Sequence, residues 1–201
     1  MKTLRKYDIN GQYDNIMNRL DSVLTAKNVI TCALFGGFEE DEGWRRECMD
    51  ELNHLYSLDY ADRYREDLAI LNPYILKQDI LSRDNVTLPT QISVYDSIKW
   101  DYKAMIRANI VSFYISEKCT NSMSLFELGN VLGSMDMDND NRFRVVISIN
   151  SDYPNREALY TYLEEIIMIK DVLSSVVNCH ATPKSHALAI YNSYKYFVTR
   201  G

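Results

Sequence analysis

Glycine and proline are scarce in this sequence, with seven and four residues among 201. Long flexible linkers are rich in these residues, so we expect none, and the length fits one domain with an extension. No apolar run approaches the roughly 20 residues that a transmembrane helix requires, and the N-terminus lacks the apolar core of a secretory signal. We therefore expect neither a secretory signal nor a membrane partner.

Closely spaced metal ligands are also missing from the sequence. The four cysteines stand far apart, at Cys32, Cys48, Cys119 and Cys179, and the three histidines are scattered as well. Zinc sites are built from ligand pairs only a few residues apart. The sequence therefore predicts no metal site and no cofactor, and it predicts reduced thiols in the cytoplasm.

Excess positive charge is lacking too, because the formal net charge is −6 at pH 7. A protein that binds polymeric nucleic acid neutralises many phosphates with lysine and arginine, so this charge argues against such a partner. A small nucleoside or nucleotide needs only a few local donors and is compatible with an acidic chain. A few of the 15 tyrosines could stack on a base.

Short apolar runs alternate with helical patterns along the chain. Strands are predicted at residues 28–35, 67–74, 109–115, 143–149 and 174–178, and helices at residues 43–58, 96–108, 156–171 and 184–198, with another around residue 127. This order predicts an α/β domain over residues 28–201: one doubly wound, mostly parallel sheet of about five strands, flanked by helices in a Rossmann-like or flavodoxin-like three-layer arrangement. Residues 1–27 are predicted to form an N-terminal helical extension.

Several polar segments follow the predicted strands. If the strands are parallel, their ends at residues 36, 75, 116 and 150 lie on one rim of the sheet, where open α/β folds bind ligands. The turn Gly36-Gly37, the connection at 76–95 and the segments 121–127 and 150–155 would then share one crevice. The two glycines match neither a GxGxxG motif nor a P-loop, so a plain turn is the alternative to a binding site.

Glu127 lies in the predicted helix after the third strand and has two interpretations. The sequence Ser124-Leu-Phe-Glu127 fits a capping box, in which the glutamate is a first-turn acid that suits the helix dipole. The same glutamate lies beyond the carboxyl end of a strand, where a catalytic carboxylate is also expected. Both interpretations are compatible, because Ser124 could cap the helix while Glu127 points into the crevice.

Three segments together resemble the nucleoside 2-deoxyribosyltransferase family and its relatives that hydrolyse nucleoside 5′-monophosphates. The first is residues 33–38, Ala-Leu-Phe-Gly-Gly-Phe, with Trp44 and Arg45 opening the next helix. The second is residues 101–109, in which an acid stands seven residues before Ala-Asn, and the third is residues 121–129, which contain Glu-Leu-Gly. The resemblance covers roughly residues 28–170, and it implies an enzyme acting on a small nucleoside or nucleotide.

The resemblance also implies roles for individual residues. Glu127 would be the nucleophile at C1′ of the sugar, and Asp101 the acid that assists the leaving base. The floor under the sugar and base is assigned to Gly36, Gly37 and Phe38, and the 5′ end of the sugar to Asn121, Ser122 and Ser124. Trp44 and Arg45 are assigned to substrate binding, with core packing and a surface charge as their alternatives. Asp101 has its own alternative, a first-turn acid of its helix.

The chain departs from the family pattern at three positions. Asn121 stands where relatives carry an acid or a serine, Asn109 replaces an aspartate, and Cys32 and Ala33 occupy a region where many members place a tyrosine. The family implies a homo-oligomer whose neighbouring subunit completes the site, with Asn150 and Asn155 as candidates for such residues. Two other functions stay open: a non-catalytic nucleotide-binding module of the same fold, and a hydrolase of an NAD-like ligand.

Overall fold

A computed structural model of the protein describes residues 1–5, 13–37, 43–59, 67–73, 94–117, 119, 122–134, 143–169 and 176–200. Within these residues, strands and helices alternate. The strands are β1 (Lys2–Arg5), β2 (Val29–Gly36), β3 (Asp67–Asn72), β4 (Ile110–Ile115), β5 (Arg144–Asn150) and β6 (Val176–Ala181). The helices are α1 (Tyr13–Leu24), α2 (Gly43–Asp59), α3 (Val94–Arg107), α4 (Ser122–Ser134), α5 (Arg156–Ile169) and α6 (Pro183–Arg200).

All described strands belong to one parallel sheet in the order β1-β3-β2-β4-β5-β6. This arrangement confirms the predicted doubly wound α/β fold, and the last five strands in the chain have the flavodoxin-like order. The sheet has six strands rather than about five, because Lys2–Arg5 pairs with the outer edge of β3. This edge strand lies in the segment that was predicted to be a helical extension.

Helices cover both faces of the sheet, and two apolar clusters show which helix lies on which face. One cluster joins α2 and α6 to one face through residues such as Leu52 and Ile190. The other joins α1, α3, α4 and α5 to the opposite face and includes Leu20, Trp100 and Leu163. Right-handed crossovers explain why α2 lies on the opposite face from α1, α3, α4 and α5, because only the connection from β2 to β3 crosses the sheet in the reverse direction.

The central strands are buried on both faces. Every residue of β4 is buried, and β2 and β3 are buried except for their first residues. Such continuous apolar strands are typical of parallel sheets that are sandwiched between helices. Among the described residues, no helix combines the length and the apolar character that are needed to span a membrane.

Candidate functional site at the switch point

The chain winds in opposite directions from β2, which pairs with β3 on one side and with β4 on the other. In a doubly wound sheet this reversal opens a crevice between the loops that follow the two strands. The crevice lies beyond Gly36 at the end of β2 and beyond Ile115 at the end of β4. Of the four segments that were predicted to share it, the Gly36-Gly37 turn and the segments 121–127 and 150–155 contain described residues near it. Residues 76–93 of the fourth segment, the connection at 76–95, lie outside the described residues.

Gly36 adopts a backbone conformation that strongly favours glycine. Its φ is +144°, and a Cβ atom added there would lie 2.2 Å from the carbonyl oxygen of Tyr114. A Cβ on Gly37 would lie 3.1 Å from the Cβ of Cys119, so the loops after β2 and β4 touch at this point. The glycine pair therefore closes one side of the crevice with bare backbone. Phe38, the next predicted site residue, lies outside the described residues.

Trp44 and Arg45 support this turn from inside the protein. The indole Nε1 of Trp44 donates to the carbonyl oxygen of Gly37 at 3.1 Å, and Arg45 donates through Nη1 to the same oxygen at 2.7 Å. Arg45 Nη2 also donates to the carbonyl oxygen of Gly36 at 3.2 Å. Both side chains are buried, with exposed fractions of 4% and 1%. Their predicted contact with a substrate stays a prediction, and the contacts described here are with the turn.

Helix α4 begins at Ser122, two residues before Ser124. Ser124 is therefore inside the helix, and its buried hydroxyl oxygen has no hydrogen-bond partner. The predicted capping box is wrong, because its serine must stand before the helix and must accept a bond from the backbone at Glu127. Glu127 lies in the second turn rather than the first. Asn121 lies outside the described residues, and the side chain of Ser122 is not among those described.

Glu127 is half-buried and lies three residues after Ser124. Residues three apart are neighbours on a helix surface, so the carboxylate and the buried hydroxyl lie on the same side of α4. The buried Leu128 and Val131 continue this side toward the core. Phe126 and Met123 instead lie on the exposed side of the helix. Glu127 thus stands at the border between the core and the surface, close to the carboxyl ends of the strands.

Asp101 lies in the middle of α3, because this helix begins at Val94. The alternative interpretation of Asp101 as a first-turn acid is therefore wrong. Its side chain is half-buried, and one carboxylate oxygen is shielded from solvent. At a rise of 1.5 Å per residue, Asp101 lies roughly 10 Å along α3 from its first residue, and Glu127 lies roughly 8 Å along α4 from its first residue. Both helices pack on the same face of the sheet.

Ser116 was missed by the sequence analysis. It follows β4 directly, is 3% exposed, and its hydroxyl oxygen has no hydrogen-bond partner. Its carbonyl oxygen accepts a bond from the amide of Cys119 at 3.0 Å, which forms a tight turn at the rim. Ser116 could have been identified from the sequence, because it is a polar residue directly after an apolar strand. Buried hydroxyls normally have a hydrogen-bond partner, so Ser116 and Ser124 are candidate contacts for a ligand.

The loop after β5 lies near the loop after β4. Tyr153 packs against the apolar cluster that contains Cys119 of the β4–α4 loop. Burial, and then the charge of a Cys119 thiolate, raise the pKa of Tyr153. Asn150 donates from its side-chain amide to the hydroxyl of Tyr114 at 3.0 Å and accepts from the amide of Asp152 at 2.8 Å. Asn150 is thus bonded within its own chain. Its predicted contribution to a neighbouring site, like that of the exposed Asn155, stays a prediction.

The described residues contain no group of three or more histidine, cysteine, aspartate or glutamate side chains arranged to hold a metal ion. None of the four cysteines forms a disulfide bond, and three of them are buried. In sequence comparisons, neither the known protein families nor the curated proteins yield a match to this chain. The fold and the position of the two acids are therefore the grounds for a functional proposal.

Proposed function

We propose that the protein cleaves or transfers at the N-glycosidic bond of a nucleoside or a nucleoside 5′-monophosphate, with Glu127 as the nucleophile. The observation that carries this proposal is the position of Glu127 on α4. It is half-buried on the helix that follows β4, next to the reversal of winding between β2 and β4, and it lies one helical turn from the Ser124 hydroxyl, which has no hydrogen-bond partner. In this proposal the carboxylate acts on a ligand that is bound beyond the carboxyl ends of the strands.

The proposed reaction has two steps. In the first, a carboxylate oxygen of Glu127 bonds to C1′ of the sugar while the bond between C1′ and the base nitrogen breaks. The electron pair leaves with the base, which takes a proton from Asp101. In the second step, water or the nitrogen of another base attacks C1′ and releases Glu127. The acceptor loses a proton, from water or from the N–H of the second base, and this proton returns to Asp101, so the enzyme ends in its starting state.

The surrounding residues support the binding of a small nucleoside. Gly36 and Gly37 are assigned to the floor under the sugar and base, and Tyr114, Trp44 and Cys119 pack so close to their backbone that a side chain would not fit there. Ser124, with Asn121 and Ser122, is assigned to the 5′ end of the sugar, and amide groups at the start of α4 could hold a phosphate there. In this proposal Trp44 and Arg45 act on the ligand through the turn that they hold.

The proposal includes a homo-oligomer in the cytoplasm. The resemblance implies a neighbouring subunit that adds polar residues to the site. The cysteines form no disulfide bond and are mostly buried, which suits a reducing compartment. No polymeric nucleic acid partner is proposed, given the net charge of −6.

An assay with each deoxynucleoside and each deoxynucleoside monophosphate, with and without a second free base, tests the reaction. Release of base in water indicates a hydrolase, and exchange that requires an added base indicates a transferase. Turnover of NAD alone would instead support the hydrolase of an NAD-like ligand. Binding of nucleotides without turnover of any of these compounds would contradict an enzyme and support a binding module.

Glu127→Gln tests the nucleophile. The amide cannot form the glycosyl ester, so we expect the rate to fall by roughly 10³-fold or more while the thermal unfolding curve stays close to wild type. Glu117→Gln is the matched control, because Glu117 is exposed after β4, and it should keep full activity. Wild-type rates for Glu127→Gln would show that another group attacks the sugar.

A further inference from the structure

A groove lies between the edge strand β6 and helix α6. Its volume is about 460 Å³, within the range of roughly 300–1,000 Å³ that is typical of small-molecule sites. Helix α6 covers the face of the sheet opposite to α4, which carries Glu127. The groove is therefore separate from the crevice at the switch point, and a ligand bound in it would occupy a second site.

One wall of the groove is a stripe of uncharged residues on α6. Ser185, Leu188 and Asn192 line the groove and stand three or four residues apart, so they lie on one side of the helix. Ala189 lies beside Leu188 and lines the groove as well. Leu188 is 46% exposed, so the protein leaves this apolar part of the wall uncovered. The wall thus offers apolar contact at its centre and polar groups at both ends.

The other wall is strand β6, which contains a β-bulge. The register with β5 shifts between Asn178 and Ala181, so that Cys179 and His180 together stand opposite Ile149. In a regular strand, residues three positions apart point to opposite faces. Here Asn178 and Ala181 both line the groove, and Ala181 also packs against α6. The bulge therefore brings both residues to the side of α6.

His180, in this bulge, has a left-handed backbone. Its φ is +61°, and among the described residues no other residue except glycine has a positive φ. Such conformations cluster at ligand sites, and bulges at sheet edges often lie next to binding residues. A bulge also interrupts the regular row of outward N–H and C=O groups that an added peptide strand requires. The strand geometry therefore favours a small ligand over a peptide strand.

The charge of the lining is opposite to that of the whole protein. The chain has a net charge of −6, but the described residues that line the groove include no aspartate or glutamate, and they include Arg144. The Cζ atom of Arg144 lies 3.9 Å from the ring centroid of Tyr196. This contact uses the flat face of the guanidinium group. Its N–H donors lie in the plane of the group, which is the direction from which carboxylates and phosphates bind arginine.

We propose that the groove between β6 and α6 binds a small organic anion, whose carboxylate or phosphate group contacts Arg144 and whose apolar body packs against Leu188 and Ala189. Asn178 on the strand and Asn192 on the helix add amide groups to the two walls, where they bind polar atoms of the ligand. This site is independent of the proposed reaction, so failure of the glycosidic assays leaves its test unchanged.

An NMR titration of the isotope-labelled full chain tests the proposal with three probes: naphthylacetate, naphthyl phosphate and the neutral naphthylacetamide. We expect at least one anion to shift the backbone amide signals of Asn178, His180 and Asn192 at millimolar concentration, and the anion that binds more tightly identifies the preferred charged group. The neutral amide should bind at least about 10-fold more weakly, because it cannot form a charge-assisted bond with Arg144.

Two variants test the charge and the space separately, each with a matched control. Arg144→Gln should weaken binding of the anions by about 10-fold or more, whereas Arg46→Gln removes an exposed arginine of α2 and should leave binding unchanged. Asn192→Trp places a large ring in the groove and should abolish binding. Asn53→Trp makes the same change on the exposed side of α2 and should have no effect.

Three results would overturn the proposal. The first is the absence of shifts at the groove amides with either anion up to about 5 mM. The second is a set of shifts confined to the amides around Gly36 and α4, which would place the probes at the switch point. The third is equal affinity for the anions and the neutral amide, or unchanged affinity in Arg144→Gln or Asn192→Trp. Circular dichroism spectra identify a variant that fails to fold, and the other variant then decides.

Discussion

Arg45 and Arg46 are adjacent in the sequence but have opposite surroundings. Arg46 is exposed, whereas Arg45 is 1% exposed and donates two hydrogen bonds to the carbonyl oxygens of the Gly36–Gly37 turn. Lysine keeps the charge but cannot present two donors in a planar fork. We therefore expect Arg45→Lys to lower the free energy of unfolding by about 2–4 kcal/mol, measured by urea denaturation.

Arg46→Lys is the control for that prediction and should change the free energy of unfolding by less than about 0.5 kcal/mol. If both variants unfold alike, the two bonds from Arg45 contribute little, and the turn is held by the backbone of Gly36 and the indole of Trp44. The sequence alone could not show which of the two arginines is buried. Their difference arises because α2 turns one side chain toward the sheet and the other toward solvent.

Ser116 and Ser124 show a second limit at the level of residues. Both are buried without a partner for their hydroxyl oxygens. A serine near a predicted helix start has a ready local explanation as a cap, and the start of α4 at Ser122 removes this explanation. The position of a helix end depends on which of several polar residues occupies the cap position, and tertiary packing determines which one does.

At the scale of elements, the start of α6 is fixed by a reciprocal pair of hydrogen bonds. The amide of Ser185 donates to Thr182 Oγ1 at 3.2 Å, and the amide of Thr182 donates to Ser185 Oγ at 2.9 Å. Pro183 occupies the first helical position, where its missing N–H costs nothing. This is a capping box in which serine replaces the usual glutamate.

Thr182→Ala removes the side-chain acceptor at this cap. We expect the free energy of unfolding to fall by about 1 kcal/mol, because one amide of the first turn loses its partner. Thr161→Ala in the middle of α5 is the control, since Thr161 is also exposed and alanine is the better helix former. It should leave stability unchanged or raise it slightly. Equal losses in both variants would show that the cap makes no special contribution.

The order of elements was predictable because the buried strands are nearly continuous apolar runs, and such runs between helical patterns leave few topologies. β1 was not predictable on these grounds. Lys2–Arg5 contains two charged residues, and its pairing depends on the backbone of β3 rather than on an apolar pattern. The start of α3 at Val94 was also missed, which placed Asp101 too close to the helix start.

At the scale of the whole molecule, a buried polar contact joins α6 to the sheet. Nδ1 of His186 lies 2.8 Å from the hydroxyl oxygen of Ser148 in the middle of β5. The ring also lies against Tyr114 and Trp44, with centroids 5.4 Å and 6.1 Å away. Burial, and then the positive charge of Arg45, lower the pKa of His186 to about 3. The imidazole is therefore neutral in the folded protein at neutral pH.

This neutral histidine makes stability depend on pH. In the unfolded chain the pKa of a histidine is about 6.5. Below that pH, His186 is protonated in the unfolded state but stays neutral in the folded state. The contribution of His186 is complete above about pH 6.5 and is lost as the pH falls toward about 3. The loss should approach 1.4 kcal/mol per pH unit, or about 2 kcal/mol by pH 5.

His186→Asn removes this titration, whatever its effect on stability at neutral pH. Urea denaturation at several values between pH 7.5 and pH 5 should therefore show a smaller fall in the free energy of unfolding for His186→Asn than for wild type, by about 2 kcal/mol at the lower limit. This range lies above most carboxylate titrations, which keeps the histidine contribution separate. His54→Gln is the control, because His54 is exposed on α2, and it should follow the wild-type curve. If the free energy of unfolding falls equally with pH in wild type and in His186→Asn, His186 can be protonated without unfolding. The contact between α6 and the sheet would then open at a lower free-energy cost than the burial of His186 implies.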